Sequence, residues 1–261
     1  MCIVDPGMLP ELRVPLGPWL IVVSTHASVV AAAMLLGTVV AARRAPRRAG
    51  FVAWLPLLAM AVLAGSHVLY WIRAGGALDL RRGGLASMGG AAGLAAGIWL
   101  AARLSGMRLA AVADAVAPAA LLALGIGRLG CFLAGCCAGV PTALPWGIVF
   151  PELGPEARHP LQLYAAVLDV TLAVLVARAS GPPGLAAGRT MAAFGALRLG
   201  LELLRDPVAR DPLLAGVATA QLGALLLLIA GLVVMRQVRH HVASIPGKNV
   251  VFSTEKPRIM D

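Results

Sequence analysis

Long apolar runs separated by short segments are the feature of this chain that most limits its fold. A helix needs about 20 predominantly apolar residues to cross the hydrocarbon core of a bilayer, with a range of roughly 17 to 25. Seven stretches of the sequence approach this length. They cover approximately residues 17–41, 51–73, 84–103, 109–126, 160–178, 187–204 and 213–235. The pattern predicts an all-α integral membrane protein with about seven transmembrane helices.

The composition favours a membrane protein over a soluble or nucleic-acid-binding one. Hydrophobic residues make up 59% of the 261 residues and charged residues 13%, whereas soluble domains carry about 25% charged residues. The mean hydropathy is +0.86. The formal net charge is +10, but the basic residues lie between apolar blocks and form no runs interleaved with aromatic residues. We therefore expect no nucleic acid among the partners.

The distribution of arginine between the apolar runs predicts the orientation. Cytoplasmic loops carry an excess of Lys and Arg, and ARRAPRR at 42–48, directly after the first run, holds four arginines. With seven spans, the N-terminus then lies outside and the C-terminus lies in the cytoplasm. We expect a seven-helix transmembrane domain at 1–240 and a polar, disordered cytoplasmic tail at 241–261.

Ionisable side chains within the apolar runs mark the candidate site. A charge at the centre of a membrane helix costs about 2.5 to 3.5 kcal/mol on insertion scales, which makes such residues functional candidates. Arg128 ends the fourth run, and Arg198 and Glu202 share a helix face in the sixth, with Arg205 one turn later. A structural ion pair that neutralises itself is the alternative for Arg198 and Glu202. His26 is a further candidate, although a lone intramembrane histidine is often bonded only to neighbouring backbone.

The Gly/Pro-rich segment from 127 to 159 is predicted to be irregular and partly re-entrant on the outer side. Glycine and proline disfavour a plain helix, while the many apolar residues argue against a solvated loop. Irregular backbone at membrane depth is buried in protein or lines a cavity. A cavity that holds Arg128, Arg198 and Arg205 suits an anion, for which a phospholipid headgroup is the obvious candidate. A transporter, a lipid-modifying enzyme and a channel all remain open on these grounds.

Three of the four cysteines lie within seven residues, at Cys131, Cys136 and Cys137. A disulfide that joins Cys131 to one of the other two is one interpretation, because the outer face of the membrane is oxidising. Burial of small, soft side chains in an apolar pocket is a second, and a covalent acceptor thiol is a third. We expect no metal site, because the segment contains no CxxC and His159 is the only histidine nearby in sequence.

The order and spacing of six short motifs resemble those of the prolipoprotein diacylglyceryl transferase family. Each motif is modest alone, but together they extend over most of the chain. They are LPELRVPLGP at 9–18, GGLASMGG at 83–90, GRLG at 127–130, PWGIVFP at 145–151, RHPLQLY at 158–164 and FGALRLGLELLRDP at 194–207.

The resemblance implies an enzyme that moves the diacylglyceryl group of phosphatidylglycerol to the lipobox cysteine thiol of a preprolipoprotein. The reaction forms a thioether and releases glycerol phosphate. The implied partners are phosphatidylglycerol, the lipobox segment and membrane lipid, the implied location is the bacterial inner (plasma) membrane, and no cofactor is implied. Another lipid-linked activity, or phospholipid binding without catalysis, is the alternative function.

Matched by motif, the resemblance also implies roles for individual residues. Arg128 matches the family's essential arginine and Arg198 the arginine of a second motif, so both are expected to act in catalysis. His26 is our candidate for assisting deprotonation of the thiol. The expected substrate-binding residues are Gly89, Gly90, Gly139, His159, Gln162, Tyr164, Glu202 and Arg205.

Several polar residues of the family pattern are replaced in this chain. Met88 stands where the family has the histidine of HGG, and Cys131 where it has the asparagine of GNF. Cys136 replaces an acidic residue, Ala165 a glutamate and Phe194 a tyrosine. The expected site therefore keeps its arginines but loses much of the polar surroundings.

Overall fold

The computed structural model of the chain describes residues 11–16, 19–45, 51–73, 87–206, 213–214 and 217–244. Within these ranges the chain forms seven long helices. They are α1 (Thr25–Arg44), α2 (Leu55–Arg73), α3 (Ser87–Ser105), α4 (Leu109–Leu133), α5 (Leu161–Arg178), α6 (Leu185–Leu203) and α7 (Thr219–Ala243). Of the tail predicted at 241–261, the part from 245 onward lies outside the described residues.

Short antiparallel hairpins accompany the helices at their connections. In the described ranges β1 (Glu11–Leu16) pairs with β2 (Trp19–Ser24), β3 (Ile148–Val149) with β4 (Ala157–Arg158), and β5 (Leu213–Leu214) with β6 (Val217–Ala218). The β3–β4 pair and a 3-10 turn at Pro151–Leu153 lie between α4 and α5. The long elements are all helical, as the sequence predicted.

The first helix starts later than its apolar run suggested. The predicted span began at residue 17, but WLIVVS at 19–24 forms β2, and α1 begins at Thr25. β-Branched residues suit a strand as well as a buried helix, so apolar length alone did not separate the two. Ser24 caps α1, since its side-chain oxygen accepts a hydrogen bond from the backbone N–H of Ala27 at 3.4 Å.

Five of the helices are long and apolar enough to cross a membrane. These stretches are Thr25–Arg44, Leu55–Ile72, Leu109–Leu133, Leu161–Arg178 and Ala220–Ala243. The other two, α3 and α6, contain 19 residues each. At a rise of 1.5 Å per residue they are about 28 Å long, close to the hydrocarbon thickness of about 30 Å. Their transmembrane placement, and with it the seven-span topology, remains a prediction.

Helix α4 is the centre of the bundle. It packs along α1 and α5, and it also contacts α3 and α6. Small residues allow this many neighbours, because Ala and Gly let helices approach closely in lipid. Its buried residues are Val112, Ala115, Val116, Ala117, Pro118, Ala119, Leu121, Gly125 and Gly130. Contacts with α4 therefore set the positions of the helices that surround it.

Helix α4 also continues seven residues beyond the predicted end of the fourth span, from 126 to 133. The GRLG motif and Cys131 lie in its last turns, where we predicted irregular backbone. Glycine lowers the stability of a helix, but close packing against α1 offsets that loss of stability here. A Cβ on Gly130 would lie 3.2 Å from the carbonyl oxygen of His26 on α1. The irregular segment begins at Ala134 instead, and its re-entrant character is untested.

Glycine also lets α2 and α3 pack closely. Gly65 of α2 faces Gly89 and Gly93 of α3, and a Cβ on any of the three would collide with backbone of the other helix. Gly89, Gly93 and Gly97 follow the small-xxx-small spacing of close helix pairs in membranes. The contact between these helices therefore depends on the absence of side chains.

Helix α6 is fixed between α7 and α4. A Cβ on Gly195 would lie 2.6 Å from the carbonyl oxygen of Ala224 on α7. At the N-terminus of α6, the Asp114 carboxylate of α4 accepts hydrogen bonds from the N–H groups of Gly184 at 2.7 Å and Ala187 at 2.8 Å. Helix N-termini need such acceptors and favour negative charge. These contacts hold α6 so that its opposite, charged end meets α4 and α5.

Replacing Gly93 by alanine is expected to destabilise the bundle. The new methyl group would meet the backbone carbonyl of Ala61, and overpacking of this kind costs about 1 to 3 kcal/mol. Gly200→Ala is the matched control, because nothing lies within 4 Å of its Cβ position. Thermal unfolding of the purified proteins in detergent should show a lower midpoint for Gly93→Ala only. Equal midpoints would contradict this packing of α2 against α3.

Candidate functional site

A cavity opens where the C-terminal ends of α4 and α6 meet the N-terminal end of α5. The space at its mouth and within it that protein atoms leave empty is about 270 Å³, which includes open solvent. Its walls are formed by Arg128, Cys137, Leu161, Gln162, Ala165, Arg198, Leu201, Glu202 and Arg205. Five of the residues expected to act in catalysis or bind substrate, Arg128, Gln162, Arg198, Glu202 and Arg205, are thus brought together.

Glu202 is an almost fully buried carboxylate that two guanidinium groups share. Its side chain is 1% exposed, and its Oε2 lies 3.5 Å from Nη2 of Arg198 and 3.7 Å from Nη1 of Arg205. Ordinary N–H···O hydrogen bonds are shorter than about 3.2 Å. These contacts are therefore ion pairs without close hydrogen bonds.

A second buried carboxylate, Asp169, was missed by the sequence analysis. It lies on α5 seven residues after Gln162, on the same face, and is 1% exposed. Its charge interacts with those of Arg128 and Arg198, and its Oδ1 has no hydrogen-bond partner among the described residues. Asp169 is a single ionisable residue in the apolar stretch LYAAVLDVTLAVL. An ionisable residue within an apolar run was the criterion that identified the arginines, so Asp169 could have been found from the sequence.

The five ionisable residues Arg128, Arg198, Arg205, Glu202 and Asp169 form what we call the charge cluster. It holds three guanidinium groups and two carboxylates. The side chains of Arg198 and Arg205 are 14% and 8% exposed, so water screens their charges only in part. Guanidinium groups that water screens only in part attract an anion.

Gly139 brings three chain segments together at the rim of the cavity. Its N–H donates a hydrogen bond to the carbonyl of His159 at 2.8 Å, and it forms a β-bridge with Arg205. A Cβ on Gly139 would lie 2.7 Å from the carbonyl oxygen of Leu204 and 2.8 Å from Cβ of His159. Close packing is sufficient reason for a glycine here, and a contact between Gly139 and substrate stays a prediction.

Arg158, which the sequence analysis did not select, ties the same segments together. Its Nη1 donates to the carboxylate of Asp206 in a salt bridge and to the carbonyl of Gly139 at 3.3 Å. Because Asp206 directly follows Arg205, this bridge anchors the end of α6 to the segment that leads into α5.

Gln162 and Tyr164 stabilise the wall and the rim. Gln162 is 1% exposed and donates through Nε2 to the carbonyl of Cys136, while its Oε1 has no hydrogen-bond partner in the described part of the chain. The Tyr164 hydroxyl lies 3.2 Å from Nδ1 of His159 and accepts a hydrogen bond from Nε1 of Trp146 at 2.7 Å. His159 and Tyr164 thus lie beside the cavity and do not form its wall.

The three clustered cysteines and His26 lie on the α1 side of this site. Sγ atoms of Cys131, Cys136 and Cys137 are within 4.8 Å of one another, and Nε2 of His26 is 3.7 Å from Sγ of Cys131. All three cysteines are half-buried thiols in the structure, and the disulfide among them is untested. Of these four residues only Cys137 lines the cavity. His26 instead contacts the thiol of Cys131.

A sequence model of the prolipoprotein diacylglyceryl transferase family matches residues 16–237. The chain belongs to this family. The match includes the whole charge cluster and confirms the resemblance drawn from the short motifs. Together with five helices able to cross a membrane, family membership indicates a bacterial membrane protein.

Curated relatives agree with the family assignment. The chain is 41% identical over 139 residues to the phosphatidylglycerol–prolipoprotein diacylglyceryl transferase of Geobacter sulfurreducens, covering 51% of this chain and 53% of that protein. It is 40% identical over 140 residues to the protein of the same name from Nitratidesulfovibrio vulgaris strain Miyazaki F, covering 52% of each. It is 35% identical over 158 residues to that of Vibrio vulnificus strain YJ016, covering 59% and 58%. The chain thus spans little more than half the length of these relatives.

Gly89 and Gly90, expected to bind substrate in this family, lie at the contact between α3 and α2. A Cβ on Gly89 would collide with Gly65, and one on Gly90 would lie 2.6 Å from Oγ of Ser66. Neither residue lines the cavity described above. Close packing against α2 accounts for glycine at both positions, and contact with substrate stays a prediction.

Replacing Glu202 by glutamine is expected to lower the thermal stability of this transferase-family protein. The change removes the counter-ion that Arg198 and Arg205 share, and removing one partner of a buried ion pair costs about 3 to 5 kcal/mol. Glu152→Gln, at an exposed carboxylate, is the matched control. Unfolding midpoints in detergent should fall for Glu202→Gln and recover in part when Arg198→Gln is added. Equal midpoints for the two single variants would show that the ion pairs do not stabilise the fold.

Proposed function

We propose that the protein transfers the diacylglyceryl group of phosphatidylglycerol to the thiol of a lipobox cysteine in a preprolipoprotein. The observation that carries this proposal is the cavity that Arg128, Arg198 and Arg205 line together with Glu202. Family membership and the names of the relatives point to the reaction. The cavity offers a place for the phosphate on which that reaction depends.

The charge cluster suits a phosphodiester. Guanidinium groups form bidentate, charge-assisted hydrogen bonds with phosphate and stay charged in a low dielectric. The phosphodiester of phosphatidylglycerol carries one negative charge, and the arginines that line the cavity are suited to bind it.

Gln162 offers an acceptor for the glycerol headgroup. Its Oε1 is buried in the cavity wall and has no hydrogen-bond partner among the described residues. Leaving such an acceptor unsatisfied costs about 1 to 3 kcal/mol, and a glycerol hydroxyl that donates to it would remove that cost. We infer that Gln162 favours a hydroxyl-bearing headgroup beside the phosphate.

In the proposed reaction, the lipobox thiolate attacks the carbon of the diacylglycerol part that is bonded to the phosphate ester oxygen. A carbon–sulfur bond forms as the carbon–oxygen bond breaks, and the bonding electron pair leaves with glycerol phosphate. The proton lost by the thiol balances the second negative charge that the phosphate gains. Arg128 and Arg198 stabilise this charge as it develops. A cationic site also favours the thiolate, which is the nucleophile.

We further infer that the cavity faces the outer side of the bacterial inner membrane. If the seven helices cross the membrane in alternating directions, the cavity lies at one side of the membrane and a set of arginines lies at the opposite side. These arginines, at or near helix ends, are Arg44, Arg103, Arg108, Arg178 and Arg189. An excess of Lys and Arg marks the cytoplasmic side. The N-terminus is then outside and the C-terminus in the cytoplasm, and a preprolipoprotein reaches the cavity after export.

Complementation tests the proposed activity. In bacteria depleted of their own diacylglyceryl transferase, this chain should restore lipoprotein lipidation, measured by gel shift and by incorporation of labelled lipid. Arg128→Gln should lower lipidation at least about 100-fold, since loss of one group that stabilises developing charge costs about 10² to 10³ in rate. Arg108→Gln, at an exposed arginine beside the opposite end of α4, is the matched control and should lipidate normally.

Two results would contradict this account. Equal lipidation by Arg128→Gln and Arg108→Gln would exclude the proposed role of the charge cluster. Absence of lipidation from a well-expressed, membrane-inserted wild-type chain would exclude the transferase function. Phosphatidylglycerol binding by that inactive chain would then indicate a lipid-binding member of the family.

A further inference from the structure

Three sulfur atoms that suit a thiophilic metal lie together where α1 meets the end of α4, and a histidine nitrogen lies beside one of them. Sγ atoms of Cys131, Cys136 and Cys137 are within 4.8 Å of one another, and Nε2 of His26 is 3.7 Å from Sγ of Cys131. The sequence analysis considered only His159 as a histidine near the cysteines, because His26 lies 105 residues before Cys131. Packing of α1 against α4 brings this distant histidine to the thiols.

The distances are close to those of tetrahedral zinc. With Zn–S bonds of about 2.3 Å and Zn–N bonds of about 2.0 to 2.1 Å, two sulfur ligands lie about 3.8 Å apart and a sulfur and a nitrogen about 3.6 Å apart. The 3.7 Å between His26 and Cys131 already agrees with this value. The sulfur separations, which are at most 4.8 Å, would shorten by about 1 Å or less on binding.

The backbone after α4 turns the cysteines toward one another. Gly135 and Cys137 have φ values of +67° and +65°, and the N–H of Cys136 donates to the carbonyl of Cys131 at 3.1 Å. A positive φ is uncommon for a residue with a Cβ, and such strain is concentrated at functional sites. Here it reverses the chain, so that Cys137 lies beside Cys131 although the two are six positions apart in sequence.

Gly130 lets the histidine reach the cluster. A Cβ at this position would lie 3.2 Å from the carbonyl oxygen of His26 and 3.4 Å from its Cδ2. A larger residue on this face of α4 would move the imidazole ring away from Cys131. Gly130 on α4 therefore leaves the space that His26 on α1 occupies at the contact between the two helices.

The charged surroundings favour thiolate ligands. The Arg198 guanidinium interacts electrostatically with Cys137, and Arg128 and Arg205 share the cavity wall with that cysteine. Three thiolates and one Zn²⁺ carry a net charge of −1. A metal-bound cluster would therefore complement the neighbouring arginines and not repel them.

We propose that Cys131, Cys136, Cys137 and His26 bind one Zn²⁺ ion. Cys₃His is a ligand set of structural zinc sites, in which four protein ligands leave no open position. The ion clamps the start of α1 to the end of α4 and, through Cys137, fixes one wall of the cavity. His26 then serves as a zinc ligand and not as the aid to thiol deprotonation predicted from sequence. Binding releases three thiol protons, so the affinity falls as the pH falls.

Metal analysis of the purified full-length protein tests this proposal without any measurement of transferase activity. Protein kept reduced in detergent, loaded with zinc and desalted, should retain one Zn²⁺ per chain. Co²⁺ loaded in place of zinc should give sulfur-to-cobalt charge-transfer absorption. Cys136→Ser/Cys137→Ser should lose both the ion and the absorption, and His26→Ala should bind zinc at least tenfold more weakly.

Two variants control for zinc held elsewhere in the chain. Cys2→Ser removes the remaining cysteine, and His240→Ala/His241→Ala removes two exposed histidines at the end of α7. Both should keep one ion. Zinc that persists in Cys136→Ser/Cys137→Ser, or that disappears with His240 and His241, would overturn the proposal. Wild-type protein without cobalt–thiolate absorption would also overturn it, and this result does not depend on whether any variant folds.

Discussion

The placement of three guanidinium groups, one of them buried and two partly buried, at one end of a membrane-embedded bundle is the constraint on which the site depends. Each of these charges is costly away from water, and Glu202 and Asp169 are buried next to them as partial compensation. The ion pairs of Glu202 with Arg198 and Arg205, at 3.5 and 3.7 Å, are longer than ordinary hydrogen bonds. Helix α4 makes the arrangement possible, because it contacts both α5 and α6 and thereby gathers charges from three helices.

Much of the charge cluster could be predicted from the sequence because its signal is local. An arginine or glutamate within an apolar run is visible without knowledge of the fold, and the spacing of Arg198 and Glu202 placed them on one helix face. The structure brings both together with Arg128 and Arg205 around one cavity. Asp169 carried the same signal and was overlooked, although it lies as deeply buried as Glu202.

Features that depend on contacts distant in sequence could not be predicted in the same way. The stretch at 19–24 became a strand because it pairs with β1, and its apolar composition allowed a helix equally well. The glycines at the end of α4 suggested a loop, but packing of Gly130 against α1 keeps that segment helical. The proximity of His26 to Cys131 follows from the same contact. Gly89 fitted a substrate-binding motif, yet its position is explained by the close approach of α2.

The central claim is that the charge cluster holds the phosphate of phosphatidylglycerol while a cysteine thiol displaces it. Mass spectrometry of a lipobox peptide, incubated with the purified protein in phosphatidylglycerol-containing nanodiscs, tests this most directly. The account predicts that the peptide gains one diacylglyceryl group through a thioether, with one glycerol phosphate released, and that a peptide with serine in place of the cysteine stays unmodified. An unmodified cysteine peptide, recovered from folded protein that binds phosphatidylglycerol, would contradict the account.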